Sequence, residues 1–472
     1  MSSLDAVIVG SGPNGLAAAI AIAQTGRRVV VFEAAERPGG GCRSAELTLP
    51  GFIHDICSAV HPFALASPFF RSLPLSSHGL DWIEPAAMLA HPLEDDRVAL
   101  IYRTVAATAA RLGTDADAYT SVIGRIVDAW PKLESTVLAP LHWPRHPVAV
   151  AQFGWVAWQP AEAFAQRVFK TEAARALFAG IAAHGMVPLN MRPTGAIGLV
   201  LATIAHVAGW SIPRGGAQSI TRALIAHLRS LGGEVVTSAP VQSIDELPPA
   251  RAILCDLSPG PLLRIAGHRF PPRYRRALER YRYGVGVFKV DWALDAPIPW
   301  RNPQCARAAT VHVGGTLEEI AVSEHACWNG NVPSRPFVLL AQPTLFDPSR
   351  APRGRHVVWT YCHVPRGSTV DMLPGIEQQI ERFAPGFRER VLARAVMGPA
   401  DLERHNANYV GGDIGAGATT LGQLFTRPTW QTYSTPVRGL YICSASTPPG
   451  VGVHGMCGYF AAQRALREVL RE

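Results

Sequence analysis

Residues 5–33 of the chain, DAVIVGSGPNGLAAAIAIAQTGRRVVVFE, decide the fold. An apolar run over 5–9 ends at a glycine, and a stretch of small apolar residues follows and is closed by Gly26. A second apolar run over 28–32 ends in Glu33. This pattern predicts a strand, a glycine-rich turn, a helix and a second strand, with an acidic residue where the second strand ends.

The glycines of the turn have separate steric roles. Gly10 permits the tight turn, Gly12 carries no Cβ that would block a pyrophosphate, and Gly15 lets the helix pack closely on the strand. The helix N-terminus directs free N–H groups and the positive end of its dipole towards phosphates. The predicted contacts in this turn are Gly10, Gly12, Pro13, Asn14 and Gly15. Glu33, 18 residues beyond Gly15, can accept hydrogen bonds from a ribose, so we predict a dinucleotide site rather than an ordinary strand–helix–strand turn.

A second glycine cluster, AAERPGGGCRS at 34–44, follows at once and is not needed for NAD. It resembles the extension that FAD-binding domains of the amine oxidase and phytoene desaturase superfamily carry. The resemblance implies that the glycine backbone and the arginine meet the diphosphate and the ribityl part of FAD. The residues so implicated are Glu33, Ala34, Gly40, Gly41, Cys42 and Arg43. A flexible loop is the alternative.

The composition indicates a well-packed globular enzyme. The chain has 472 residues, enough for two domains, with 48% hydrophobic and 17% charged residues. The net charge of +8 comes from scattered arginines, so we predict no nucleic-acid partner and only a mild attraction to anionic surfaces. The eight cysteines show no CxxC and no metal-type spacing with histidine, which predicts reduced thiols in a cytoplasmic protein and no metal site. No signal peptide is expected, because the chain begins almost directly in its first predicted strand.

Helices dominate the predicted pattern between about 76 and 210. Amphipathic helices are expected over 105–112 and 118–130, with Pro131 ending the second. The longest apolar stretch, GAIGLVLATIAHVAGW at 195–210, is too short and too polar to span a membrane. We interpret it as a core helix. The alternative is a surface-seeking helix that places the enzyme on a membrane, from which it extracts a lipid.

Three further segments contain candidate flavin contacts. His61 precedes a proline and is therefore extended, which suits backbone contact with a ring. Residues 213–256 show the order "GG, helix, GG, strand", and their resemblance to the superfamily implies that Val241 meets the adenine. Near the C-terminus a loop enters a helix and can hold the flavin pyrimidine edge. The candidates there are Gly452, Val453 and His454, with Ser444 where relatives often have an acid.

The segment of about 271–399 is expected to supply strands that form one wall of a pocket. The strand pattern is clearest in VGVFKVDWAL, and further strands are predicted within 310–313, 336–341 and 356–362. Four polar residues lie on or beside these strands, and each is more often a sheet-face residue than a catalyst: Lys289, Asp291, His312 and His363.

Nearly the whole chain resembles the phytoene desaturase-like FAD oxidoreductases, and within them the subgroup named for pyridine nucleotide-disulfide oxidoreductase domain-containing protein 2. The motifs that carry the resemblance are VGSGPNGLAAA at 9–19, RPGGGCRS at 37–44, HDICSAVHPF at 54–63, YGVGVFKVDWAL at 283–294, NANYVGGDIGAG at 406–417 and STPPGVGVHGMCGY at 446–459. It implies an α/β fold, with a Rossmann-type FAD-binding domain over 1–75, 211–270 and 400–472. An interleaved α+β substrate domain is expected over 76–210 and 271–399.

The resemblance implies an elongated apolar substrate of polyene or prenyl type. The enzyme would either transfer a hydride from this substrate to flavin N5 or isomerise it. Candidate bases for the accompanying proton are His454, His61 and His363. One alternative is a flavin amine oxidase, although no lysine stands in an evident equivalent place. Another is a non-catalytic FAD-containing binding protein. Oxygen or a quinone is expected to reoxidise the flavin, because the single dinucleotide motif is filled by FAD. The sequence carries no signal of oligomeric state.

Overall fold

The computed structural model describes residues 4–471. Its strands, numbered in chain order, are β1 Leu4–Val9, β2 Val29–Phe32, β3 Ser44–Glu46, β4 Ile53–Asp55, β5 Trp82–Ile83, β6 Ala87–Pro92, β7 Val98–Ile101, β8 Ile212–Pro213, β9 Glu234–Val236, β10 Ala250–Cys255, β11 Gly286–Leu294, β12 Ala308–Val313, β13 Val338–Ala341, β14 His356–Val364, β15 Val391–Met397 and β16 Leu440–Ile442. Its α-helices are α1 Pro13–Ala23, α2 Pro62–Ala66, α3 Pro68–Arg71, α4 Val105–Ala109, α5 Ala116–Tyr119, α6 Arg125–Val137, α7 Pro147–Ala157, α8 Ala161–Val168, α9 Glu172–Ala183, α10 Thr194–Val207, α11 Gln218–Ser230, α12 Pro259–Ala266, α13 Pro272–Glu279, α14 Leu317–Trp328, α15 Leu373–Phe383, α16 Pro399–His405, α17 Leu421–Phe425 and α18 Met456–Glu468.

Five parallel strands form the first sheet, in the order β16-β10-β1-β2-β9. The register places Val9, at the end of β1, opposite Phe32 of β2 and Cys255 of β10. The residues that follow these three strand ends therefore meet at one edge of the sheet, where open parallel sheets bind their ligands. The predicted strand–turn–helix–strand unit at the N-terminus is confirmed.

Helices cover both faces of this sheet. On one face α1, α11 and α18 share a core with β1, β2 and β10, and on the other α12 and α13 pack against β10 and β16. The contact between α1 and α18 is very close, since a Cβ on Gly458 would lie 1.8 Å from the main-chain oxygen of Asn14. A Cβ on Gly15 would lie 2.0 Å from the Gly10 oxygen, which confirms that Gly15 permits close packing of helix and strand.

The second sheet has seven strands in the order β15-β11-β14-β13-β12-β6-β7. Its pairs are antiparallel except for β12 with β6. The helices between α4 and α10 pack with one face of it around the largest core, and α15 packs with the other. The fold is therefore α/β, with a Rossmann-type sheet interleaved with an α+β part, as predicted. The domain limits in the chain stay a prediction.

The helix expected to end at Pro131 differs from the prediction. After α5, residues Thr120–Gly124 form one π-helical turn, and α6 then continues through Pro131 to Val137. An interior proline removes one main-chain hydrogen bond at a cost of about 3 kcal/mol. Burial of Ile126, Trp130 and Leu133 in the large core offsets this cost.

The long apolar stretch forms α10, whose residues Leu199 and Ile204 are fully buried. It is a core helix, so the alternative of a membrane-surface helix at this position is wrong. Within residues 4–471 no helix combines the length and apolar character that crossing a membrane requires.

Candidate nucleotide and substrate cavity

A cavity of about 1000 Å³ starts at the carboxyl edge of the parallel sheet and extends to the second sheet. At the first end it is lined by the glycine turn, Glu33 and the 239–242 segment. At the far end the walls are largely apolar and aromatic: Val200, Trp210, Val287, Leu339, Trp359 and Tyr361. One continuous space therefore joins a nucleotide-type turn to an apolar chamber.

Glu33 is held in place by the protein. The Ser11 N–H donates to Oε2 at 2.9 Å, the Ser11 hydroxyl donates to the same oxygen, and the Ala35 N–H donates to Oε1 at 2.9 Å. Each carboxylate oxygen has two lone-pair directions, so Oε2 is fully occupied, whereas Oε1 retains capacity for a further donor. The acid is thus positioned in advance for ribose hydroxyls.

Asp256 was missed by sequence analysis. It follows β10, lines the cavity and accepts the Gly15 N–H at Oδ2 over 3.0 Å. A Cβ on Gly12 would lie 2.5 Å from that oxygen, so Gly12 leaves room for this carboxyl group as well as for a pyrophosphate. Burial, and then the charge of Glu33, raises the pKa of Asp256 to about 7.

The raised pKa predicts a specific pH dependence. Between about pH 4 and pH 7 folded, nucleotide-free protein keeps a proton on Asp256 that the unfolded chain has lost, so the free energy of unfolding should fall as pH rises. In the wild type this decrease in the free energy of unfolding should be on the order of 2–4 kcal/mol, and in Asp256→Asn it should be absent. Denaturant unfolding of both proteins across this range measures it. If the difference in the free energy of unfolding between wild type and Asp256→Asn does not change with pH, the raised pKa of Asp256 is contradicted.

Most predicted site residues line the cavity, although their contacts with a ligand stay predictions. These residues are Gly10, Gly12, Pro13, Asn14, Glu33, Ala34, Gly40, Gly41, Arg43, His61, Val241, Ser444, Gly452, Val453 and His454. Arg43 donates to the carbonyls of Gly40 and His405, both at 2.9 Å, and so joins the glycine cluster to the segment after α16. The Ser444 hydroxyl donates to the Leu257 carbonyl, so its proton is committed to the protein.

Three predicted residues lie outside the cavity lining: Gly15, Cys42 and His363. Gly15 packs against Gly10 at the start of α1. Cys42 is fully buried in the core of the first domain, and its Sγ lies 3.5 Å from the Ser58 hydroxyl rather than on the cavity wall. His363 lies on β14, outside the cavity lining, with Nδ1 2.8 Å from the Glu324 carboxylate. The structure places the His363 ring beyond the cavity lining, which does not support its predicted role as a base on a substrate.

His454 lines the cavity but has both ring nitrogens bonded. Nδ1 accepts the Met456 N–H at 3.0 Å, so Nε2 carries the proton and donates to the Gly450 carbonyl at 3.2 Å. Burial lowers its pKa to about 4. With no free lone pair to accept a proton, His454 caps α18, and its predicted role as a base is wrong.

His61 retains a free nitrogen. The Ser58 hydroxyl donates to the Gly41 carbonyl at 3.0 Å, so it accepts from His61 Nε2, also at 3.0 Å. The lone pair is then on Nδ1, which is buried and has no partner among residues 4–471. Burial lowers the His61 pKa to about 4, so the ring is neutral near pH 7.

Lys289 is a buried cation on the cavity wall. It is ion-paired with Asp291, two residues along β11 on the same face of the strand. Burial raises the pKa of Asp291 to about 6. The sequence did not show that a lysine would lie on the cavity wall. The sequence signal for this ion pair was a lysine and an aspartate two positions apart in an otherwise apolar strand.

His184, directly after α9, also lines the cavity and had no signal in the sequence. Its Nε2 lies 2.9 Å from Nε2 of His312, and its ring packs edge-on against Trp210. Burial lowers its pKa to about 3. A Cβ on Gly180 would come within 2.6 Å of His312, so this histidine pair depends on that glycine.

Residues 8–71 match the family model described as an NAD(P)-binding Rossmann-like domain. Over nearly its whole length the chain is 26% identical to rat (Rattus norvegicus) pyridine nucleotide-disulfide oxidoreductase domain-containing protein 2, covering 98% of this chain and 94% of the relative. It is 24% identical to the phytoene dehydrogenase of Streptomyces griseus, covering 97% and 94%. The chain is similar over nearly its whole length to proteins of the amine oxidase and phytoene desaturase superfamily.

Solved structures share this fold. An oxidoreductase from Methanosarcina mazei has a TM-score of 0.68 at 15% identity, over 98% of this chain and 100% of the other. Cyclohexylamine oxidase from Brevibacterium oxydans has a TM-score of 0.61 at 15% identity, over 100% of both chains. The protein is an oxidoreductase.

Proposed function

We propose that the protein is an FAD-dependent oxidoreductase that takes a hydride and a proton from an elongated apolar substrate of polyene or prenyl type. The observation that carries this proposal is the single cavity that runs from the glycine turn to an apolar, aromatic chamber. A long apolar molecule can lie in that chamber with one C–H bond next to a cofactor held at the turn.

The residues at the turn fit FAD. Asn14 Oδ1, in the first turn of α1, is buried without a partner in the described chain and can accept from a ligand. Glu33 is set for ribose hydroxyls, and Val241 lies on the wall where the adenine is predicted. The second GxGxxG, Gly450–Gly455, belongs to the cavity wall and the entry to α18, and does not open a second dinucleotide fold.

FAD, when bound, supplies the hydride acceptor. The protein provides apolar walls that exclude water and hold the substrate in one orientation. His61 accepts the proton at Nδ1, and Ser58 fixes the tautomer that leaves this nitrogen free. Loss of one hydride and one proton from neighbouring carbons leaves a new double bond. The same groups serve an isomerisation if hydride and proton return to different carbons.

The acidic side chain of the turn provides a direct test of nucleotide binding. A charge-assisted ribose contact contributes about 1.5–3 kcal/mol. Glu33→Ala should therefore lower FAD affinity roughly ten- to a hundredfold while the fold is retained. Titration of the flavin-free proteins with FAD gives the two dissociation constants, with circular dichroism as the control for folding. Equal retention of FAD after prolonged dialysis would refute the ribose assignment.

An amine oxidase is the second candidate, favoured by Lys289 beside Trp359 and Tyr361 on the cavity wall. Anaerobic mixing with polyenes and with hydrophobic amines separates the candidates by the class of compound that bleaches the flavin absorbance. Bleaching by polyenes supports the proposal, and bleaching by amines alone refutes it. A flavin that no compound of either class or from a cell lipid extract reduces would indicate a binding protein.

We also propose that oxygen or a quinone reoxidises the flavin, since one dinucleotide motif leaves no separate site for NAD(P)H. Stoichiometric, rapid reduction of the bound flavin by NADPH, with a micromolar dissociation constant, would overturn this part. The matched measurement is the reoxidation rate of photoreduced enzyme in air and with a soluble quinone.

A further inference from the structure

An exposed apolar surface lies next to the chamber end of the cavity. It consists of Leu141, Trp143, Val148, Trp155 and Trp158, which we call the tryptophan surface. Trp143 is 88% exposed and Trp155 is 83% exposed, and Leu141 and Val148 are each about two-thirds exposed, at 66% and 69%. Large exposed apolar side chains concentrated in one short segment, 141–158, mark an interaction site.

The chain does not bury this surface against itself. Helix α7 is apolar on both sides: Val150, Phe153 and Val156 pack on the large core. Val148 and Trp155, two turns apart, lie together on the opposite, exposed face. A helix that is apolar all round is normally buried, so the outer face of α7 needs a partner.

The charge around the surface favours an anionic partner. No aspartate or glutamate occurs between Glu134 and Glu162, whereas Arg145 lies between Trp143 and Val148. The whole chain carries a net charge of +8. Exposed tryptophans on a helix, an adjacent cation and no carboxylate are the pattern of a helix that lies in the interface of an anionic bilayer.

The tryptophan surface is also continuous with the cavity. Val137 and Leu138, which directly precede it, line the cavity. Helix α7 packs on α10, and Ala196, Ile197 and Val200 of α10 form part of the cavity wall.

We propose that the tryptophan surface docks on an anionic lipid bilayer and sets the apolar end of the cavity against the membrane. Trp143 and Trp155 insert at the level of the headgroups, and Arg145 meets lipid phosphates. The use of this contact to load an apolar substrate rests on the proposed function; the docking itself does not. The surface lies outside α10, where the sequence alone would have placed a membrane contact.

Flotation of the full-length holoprotein with vesicles tests the proposal, using phosphatidylcholine alone and phosphatidylcholine mixed with phosphatidylglycerol. Wild type should float with the mixed vesicles. Each tryptophan buried in the interface contributes roughly tenfold or more to partitioning, so Trp143→Ala/Trp155→Ala should lower it about a hundredfold. The matched control is Trp430→Ala, since Trp430 is 82% exposed but lies outside the surface. This control should float as wild type does.

Three results would overturn the proposal. The first is that the wild type binds neither kind of vesicle. The second is that the control and the double variant lose vesicle binding to the same extent. The third is that light scattering shows a dimer of the wild type that is a monomer in the double variant. The last would assign the surface to a second copy of the chain. Flavin absorbance is recorded for every sample. Vesicle binding by a protein without flavin would refute the proposed function and leave the docking intact.

Discussion

Gly458→Ala is expected to destabilise the protein by about 3 kcal/mol or more and to weaken nucleotide binding. The added Cβ would meet the main-chain oxygen of Asn14 at 1.8 Å and the nitrogen of Ala18 at 2.9 Å. Both are backbone atoms, so no side chain can rotate away and α1 must separate from α18. Overpacking typically costs 1–3 kcal/mol and more where the backbone cannot yield. Asn14 belongs to the turn that binds phosphate, so the same shift disturbs the cofactor site.

The matched control is Gly154→Ala in α7. Nothing lies within 4 Å of a Cβ placed there, and alanine in a helix is favoured over glycine by up to about 1 kcal/mol. Urea denaturation of both variants and retention of FAD after gel filtration provide the comparison. If Gly458→Ala unfolds at the wild-type urea concentration, the helices do not cross as closely as the structure shows.

His61→Gln is expected to slow flavin reduction 10²–10⁴-fold, the usual contribution of a general base. The amide can still donate to Ser58, but it provides no basic lone pair in place of Nδ1. FAD should stay bound. The measurement is the anaerobic rate of flavin reduction by whichever compound reduces the wild-type flavin.

His363→Gln is the control for this prediction. His363 is equally buried, but it lies outside the cavity lining and is bonded to Glu324. The flavin of His363→Gln should be reduced at close to the wild-type rate once the rate is normalised to the folded fraction of protein. A wild-type rate in His61→Gln would mean that the proton leaves through another group. His184 and His405 are then the other cavity-lining histidines to test, since His454 has both ring nitrogens bonded.

The nucleotide end of the cavity could be predicted from the sequence because its determinants are local. The glycine turn, the helix and Glu33 fall within 29 consecutive residues, 5–33, and their spacing alone fixes the geometry. Asp256 could not be found in this way. Its approach to Gly12 depends on the parallel pairing of β1 with β10, whose residues lie some 245 positions apart in the chain.

The candidate histidines show the same limit of sequence analysis. His363 lies on the same face of β14 as Trp359 and Tyr361, which line the cavity, but two residues farther along the strand, beside Glu324. The alternation of side chains predicts the face, but it does not show where along the strand the cavity ends. His454 stood in the right loop, yet only the structure shows that main-chain groups occupy both of its nitrogens. His184 could not be recognised from the sequence, because its position depends on the tertiary contact between the end of α9 and His312 of β12.

The close crossing of α1 and α18 also has a consequence during biosynthesis. About 430 residues separate the two helices in the chain. At about 5–20 residues per second, the ribosome needs on the order of a minute to make the second after the first. Throughout that time the apolar face of α1 that α18 covers stays uncovered, and FAD has no complete pocket. We therefore expect the nascent chain to depend on chaperones, and the cofactor to be acquired only after α18 has been released from the ribosome.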